Sequence, residues 1–144
     1  MRNTIQELRT AIYEVKVRNF KYLVMIDMKA RTKQFTIDCS YLCSKLPTTR
    51  EFNAYVNQLI RCSSSVGANY RASQRAKSTA DFINKLKIVE EEADESSFFL
   101  EIILEINKSQ DLKFEIEKLL KESNEILAIV VASIKTARNN LNKK

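Results

Sequence analysis

A chain of 144 residues, 44% hydrophobic and 29% charged, has the composition of one globular domain rather than of a disordered segment. One Gly (Gly67), one Pro (Pro47) and no His exclude tightly turned β-barrels and sandwiches, glycine-rich phosphate loops, Ser-His-Asp and Cys-His nucleophiles and every His-containing zinc site. Three cysteines fall short of the four ligands of an all-thiolate zinc site, so composition argues against an enzyme and against any metal or cofactor.

The net charge is +6 and unevenly spread. Residues 1–77 carry 14 Lys+Arg against 5 Asp+Glu, and residues 78–144 carry 10 against 13. No acidic residue occurs from Phe52 to Ala80, where Arg61, Arg71, Arg75 and Lys77 fall. Such a region suits a polyanion, nucleic acid first, and equally suits a solvated face or pairing with acids of a neighbouring helix.

In chain order, residues 1–27 read as an N-terminal extension. Ile5, Leu8, Ile12 and Val15 predict a short helix there, and apolar Tyr22 to Ile26 an extended lead-in. Early charges (Arg2, Glu7, Arg9, Glu14) do not fit a signal peptide, and the apolar run is too short to span a bilayer, so a cytoplasmic protein is expected. A first long helix is predicted from about Asp27 to Leu46, with Met28, Phe35, Cys39, Leu42 and Leu46 on one face. Pro47 breaks it, and Thr48 or Thr49 caps the next helix.

That second helix runs from about Arg50 to Arg75, with the stripe Phe52, Val56, Leu59, Ser63, Val66, Tyr70 and Ser73. The small residues Ser63, Ser64, Ser65, Gly67 and Ala68 fit a loop. However, the flanking stripe continues in phase through them. A helix with a close backbone neighbour is therefore preferred, although Gly67 costs it about 1 kcal/mol relative to Ala.

A third helix, about Ser78 to Asn107, starts on Ser78 or Thr79. It buries Phe82, Leu86, Val89, Ala93, Phe99 or Leu100, Ile103 and Ile106, and exposes an acidic face. A fourth, about Asp111 to Asn140 with Asp111 as cap, carries Leu112, Ile116, Leu119, Ser123, Ile126, Val130, Ile134, Ala137 and Leu141. Long amphipathic helices with short links predict an all-α, antiparallel up-down-up-down four-helix bundle over residues 28–141. Helices of roughly 20–30 residues make it roughly 30–45 Å long.

The cysteines lie on or near apolar stripes and read as buried hydrophobes of a reducing compartment. The acidic run Glu90 to Glu95 resembles half of a di-iron site, but no His and no matching motif on another helix accompany it. Glu92 and Glu95 equally suit ion pairs with Arg61, Arg71 or Arg75. Tyr55, Tyr70, Phe82, Phe98 and Phe99 suit base stacking, or core packing, which their phase favours. The third helix near Phe98–Phe99 and the fourth near Ile126–Val131 are apolar on more than one face, which predicts an oligomer.

The run Gln58-Leu-Ile-Arg-Cys-Ser-Ser-Ser-Val-Gly-Ala-Asn-Tyr-Arg-Ala-Ser73 precedes Asp81-Phe82, Lys85-Leu86-Lys87 and Glu91-Glu92-Ala93-Asp94-Glu95. This combination resembles the bacterial four-helix-bundle proteins encoded in intervening sequences of 23S ribosomal RNA genes. That family is in turn similar to accessory proteins of diversity-generating retroelements. The likeness covers roughly residues 28–138 and is densest over 58–106. It implies a ring-like homopentamer without known catalysis, with a nucleic-acid role for its basic surface. Ser65, Gly67, Asn69, Glu92 and Glu95 stand at its motif positions. Where the family usually has Glu-Ala after Asn-Tyr-Arg, this chain has Ala72-Ser73, which leaves the segment more basic. Asn69 is a candidate buried amide, fixing register or bonding to the acidic helix.

The expected function is a non-enzymatic homo-oligomeric bundle binding RNA or DNA phosphates through Arg61, Arg71, Arg75, Lys77, Lys85 and Lys87. The alternative is a protein-interaction scaffold serving a reverse transcriptase or a ribosomal component. No membrane partner is expected.

Overall fold

The computed structural model describes the backbone of residues 2–143, and the side chains of all these except residues 2–3 and 20–27. The described residues form helices joined by short links and contain no strand. The elements are α1 (Arg2–Lys45), α2 (Arg50–Ser73), α3 (Thr79–Ile106) and α4 (Gln110–Asn142). The chain divides into two compact units, Met1–Arg31 and Thr32–Lys144.

In the first unit, one helix begins at Arg2 and takes the place of the short helix and lead-in expected over 1–27. The stretch Tyr22 to Ile26 falls within its span, and the side chains there lie outside the described residues.

The second unit is built by its stripes. Phe35, Cys39, Leu42 and Leu46 of α1 are buried, as are Leu59, Cys62, Val66 and Tyr70 of α2. Leu86, Val89, Ala93, Leu100 and Ile103 of α3 join them, with Ile116, Leu119, Ile126, Val130 and Ile134 of α4. The periodicity anticipated this core, apart from Ile83 and the buried Thr32, Ser96 and Ser97. The stripe ends are less covered than expected: Phe52, Val56, Phe82, Ile106, Leu112 and Ala137 are half-buried, and Leu141 is exposed.

Helix boundaries follow local hydrogen bonding. The Thr49 side chain accepts from the Phe52 amide at 3.3 Å and starts α2. Ser78 accepts from the Asp81 amide at 3.1 Å and starts α3. At α4 the cap is Ser109 rather than Asp111. Ser109 is extended (φ −92°, ψ 122°) and its hydroxyl accepts from the Leu112 amide at 3.4 Å, whereas Asp111 already lies in the first turn. Asn107 braces that link, donating to the Ser109 carbonyl at 2.7 Å and accepting from its amide at 3.1 Å.

The small-residue segment of α2 is continuous helix. Thr36 Oγ1 of α1 donates to the Ser63 carbonyl at 2.7 Å. A Cβ on Gly67 would stand 3.2 Å from that Oγ1 and 3.4 Å from the Thr32 carbonyl oxygen. Gly67 therefore faces the α1 backbone at close range. Between α3 and α4, Ser97 Oγ donates to Ser123 Oγ at 2.8 Å, and Ser123 Oγ donates to the Ala93 carbonyl at 2.9 Å. Every buried side-chain polar atom among the described residues has a partner, so these serines fix register without a desolvation penalty.

Gly67→Val should destabilise the fold by about 1–3 kcal/mol in urea titrations, because its branches meet α1 backbone. Gly67→Ala should stay within about 1 kcal/mol of wild type, helix propensity offsetting the tight Thr36 contact. The three buried thiols should resist Ellman's reagent at pH 8 until the chain unfolds. Burial, with a smaller contribution from Cys62, pushes the Cys43 thiol up to about 11, and burial with neighbouring Cys43 raises Cys39 further. The native state thus holds protons that an unfolded thiol releases near about pH 8.5. Stability from this source is complete below that pH and is lost as pH rises toward 11.

Candidate nucleic-acid interface

The acid-free stretch Phe52 to Ala80 covers nearly all of α2, the α2–α3 link and the start of α3, and its cations begin at Arg61. Arg61 lies on the exposed side of α2, opposite buried Leu59 and Cys62. Its guanidinium meets Glu92 of α3 at 3.3 Å and also bonds Glu95. The hydrogen bond that Arg61 donates to Glu95 raises the Arg61 pKa, against a smaller opposing desolvation, with the charges of Glu92 and Glu95 adding to the rise. Gln58 steadies the same group, accepting from Nε at 3.2 Å. Two carboxylates thus hold the charge of Arg61, and the acidic motif positions Glu92 and Glu95 face an arginine.

Lys85 is similarly occupied. Its ammonium lies 2.6 Å from Asp81 Oδ1, one turn earlier on α3. Asp81 Oδ2 accepts from the Lys77 backbone amide at 3.0 Å. Together with the Ser78 cap this forms a variant of the capping box. The Lys85 bond, then the Lys77 amide, hold the Asp81 carboxyl below the usual carboxylate range.

Arg71, Arg75, Lys77 and Lys87 remain exposed, and none forms an ion pair among the described residues. Arg71 lies in the last turn of α2, where a cation also complements the helix dipole. Helix α2 ends at Ser73, short of the expected Arg75. The Arg75 and Ala76 amides donate to the Ala72 and Ser73 carbonyls and close the turn. Arg75 and Lys77 therefore project from the link, with Arg71 just before it and Lys87 two turns into α3.

The motif residues serve the fold around this region. Asn69 is half-buried and donates within α2, to the Ser65 carbonyl at 2.9 Å and the Ser65 hydroxyl at 2.8 Å. It does not bond to the acidic helix, because Ser65, one turn earlier on its own helix, lies within reach. Tyr70 is buried and has no face free for a base, while Phe82 is half-buried. Phe99 is half-buried between Tyr55, at a ring-centroid distance of 6.4 Å, and Phe98, at 5.3 Å. Phe98 is 54% exposed.

A second surface feature has no counterpart in the sequence reading. Tyr41 and Lys45 of α1 and Phe114, Glu115 and Lys118 of α4 line a shallow groove, with Lys45 and Glu115 paired at 3.0 Å. Phe114 falls outside the α4 stripe; that is the signal it offered. Among the described residues no group of three or more Cys, Asp and Glu is placed to hold a metal ion. No helix among them is long and apolar enough to cross a membrane.

The family model of the 23S rRNA-intervening sequence protein matches residues 25–132. The chain belongs to that family. The match contains the whole of α2 and α3, with the basic stretch and the Arg61–Glu92–Glu95 contact. The chain is also similar to a protein of unknown function from the S23 ribosomal protein family of Bacteroides thetaiotaomicron. The two share 29% identity and a TM-score of 0.69, over 77% of this chain and 97% of that one. None of the curated proteins matches this chain. Most of the first unit lies outside the family match.

Because its pKa is lowered on folding, Asp81 stabilises the protein above about pH 3.9 and ceases to do so as pH falls through its folded value. Asp81→Asn should lower the melting temperature at pH 7. It should also reduce the loss of melting temperature between about pH 4 and pH 2, followed by circular dichroism.

Proposed function

We propose that this family member is a non-enzymatic homo-oligomer that binds the phosphate backbone of RNA or DNA. Its helices would pack in antiparallel up-down-up-down order, and its subunits would assemble as a ring-like homopentamer in the cytoplasm. The observation that carries the nucleic-acid reading is the exposure of Arg71, Arg75, Lys77 and Lys87 around the α2–α3 link without an ion pair among the described residues. Phosphate contacts of this kind release counterions and require no base-specific geometry. Arg61 and Lys85 flank the patch. They contribute positive potential partly offset by Glu92, Glu95 and Asp81, so they rank below the four unpaired cations.

Assembly is supported by the large apolar side chains left in water on α3 and α4, above all Phe98 and Phe114 at 54% and 73% exposure. The same exposure favours a second reading, in which α3 and α4 dock another protein, such as a reverse transcriptase or a ribosomal component, and the basic residues neutralise its acids.

Fluorescence anisotropy with a structured RNA and with duplex DNA should show binding at low salt. On duplex DNA it should weaken by roughly 0.9 log unit per log unit of salt for each neutralised phosphate. Arg71→Ala with Arg75→Ala should shallow that slope by about two contacts and lower affinity at least tenfold. Binding absent at low salt, or unaltered in the double variant, would refute the phosphate reading and leave the protein-docking one.

A further inference from the structure

The first unit carries an apolar stripe that faces water. Ile5, Leu8, Ile12 and Val15 are 56%, 58%, 54% and 51% exposed. Their spacing of three, four and three residues is that of a coiled-coil seam, with Ile5 and Ile12 at a positions and Leu8 and Val15 at d positions. The next a position is Asn19, which is exposed, and the sequence continues the spacing with Tyr22 and Ile26. The stripe of the second unit (Phe35, Cys39, Leu42 and Leu46) does not share this heptad register. The N-terminal stripe is therefore not a continuation of the core pattern.

We infer that residues 5–19 of α1 pair, parallel and in register, with the same segment of a second copy of this chain. Three features select that occupant. First, both a positions are β-branched Ile and the first d position is Leu8, the choice that parallel pairs favour, with Val15 at the second d position. Second, the charges choose the orientation. In a parallel pair each g position faces an e position of the partner. Thr4 then meets Arg9 and Ala11 meets Lys16, with no like-charge contact. In an antiparallel pair, e positions face each other and would set Arg9 and Lys16 against Arg9 and Lys16. Third, a single Asn at an a position fixes register: it finds a hydrogen-bonding partner only when two copies align Asn19 opposite Asn19, and a slipped pair would press it against apolar side chains. This association is separate from the ring and does not require it, since its residues lie outside the family match.

The test is oxidative cross-linking of the full-length chain carrying, one at a time, Ile5→Cys, Ile12→Cys or Thr10→Cys, the last on the outer face at an f position. The native cysteines are buried and give little background. Parallel pairing predicts covalent dimers from both Ile5→Cys and Ile12→Cys, at least tenfold faster than from Thr10→Cys. Adding Leu8→Asp to Ile12→Cys should return that rate to the Thr10→Cys level. Cross-linking at only one of the two a positions would mean an antiparallel pair and overturn the inference. Equal slow rates at all three positions would overturn it too, and would assign the stripe to some other occupant. Ring formation is read separately, from the mass in solution of the Leu8→Asp chain, so either proposal can fail while the other stands.

Discussion

The close approach of α1 and α2 governs the second unit. It depends on a helix segment almost without side chains. Ser63 and Gly67 leave room for the α1 backbone to approach α2, and Thr36 uses that room to donate to the Ser63 carbonyl. A mid-helix carbonyl has a second lone pair to offer, so this bond adds to the helix without opening it. Once that face of α2 is committed to α1, Leu59, Cys62 and Val66 turn into the core and Arg61 and Arg71 turn outward. The outward placement of Arg61 and Arg71 thus goes with the packing of α2 at Gly67.

Electrostatics then divides the cations into two groups. An arginine on α2 and an acidic run on α3 lie side by side because the two helices pack against each other, and Arg61 is bound by Glu92 and Glu95 as a result. Such exposed pairs contribute little to stability, so their main effect is to set the surface potential. Around the α2–α3 link the α3 acids are farther along the chain. Asp81 is taken up by Lys85 and the Lys77 amide, which leaves Arg71, Arg75, Lys77 and Lys87 as the positive surface. Ala72-Ser73 lies within this region and adds no carboxylate that would lower its potential.

Much of this organisation was legible because amphipathic periodicity is strong in long helices. The continuous helix through Ser63–Ala68 followed from the phase of the flanking stripe, against the local preference of Ser and Gly. Ser109 was harder to foresee than Thr49 or Ser78, because Asp111 two residues later is an equally good cap by residue type. Only the extended backbone of Ser109, braced by Asn107, separates the two. Asn69 offered two polar partners by type, Ser65 and the α3 carboxylates, and proximity along its own helix decided between them.

The amino-acid sequence by itself determined the all-helical class, the core stripes of the second unit, the absence of imidazole and glycine-loop chemistry, and the family. Each follows from residue type and spacing, which act within a few turns of one helix. The tertiary structure decided which cations sit in ion pairs and which stay exposed, which aromatic rings face water, and which serine caps α4. Those outcomes depend on distances of about 3 Å between groups 30 residues apart or on the backbone angles of a single residue, and linear spacing specifies neither.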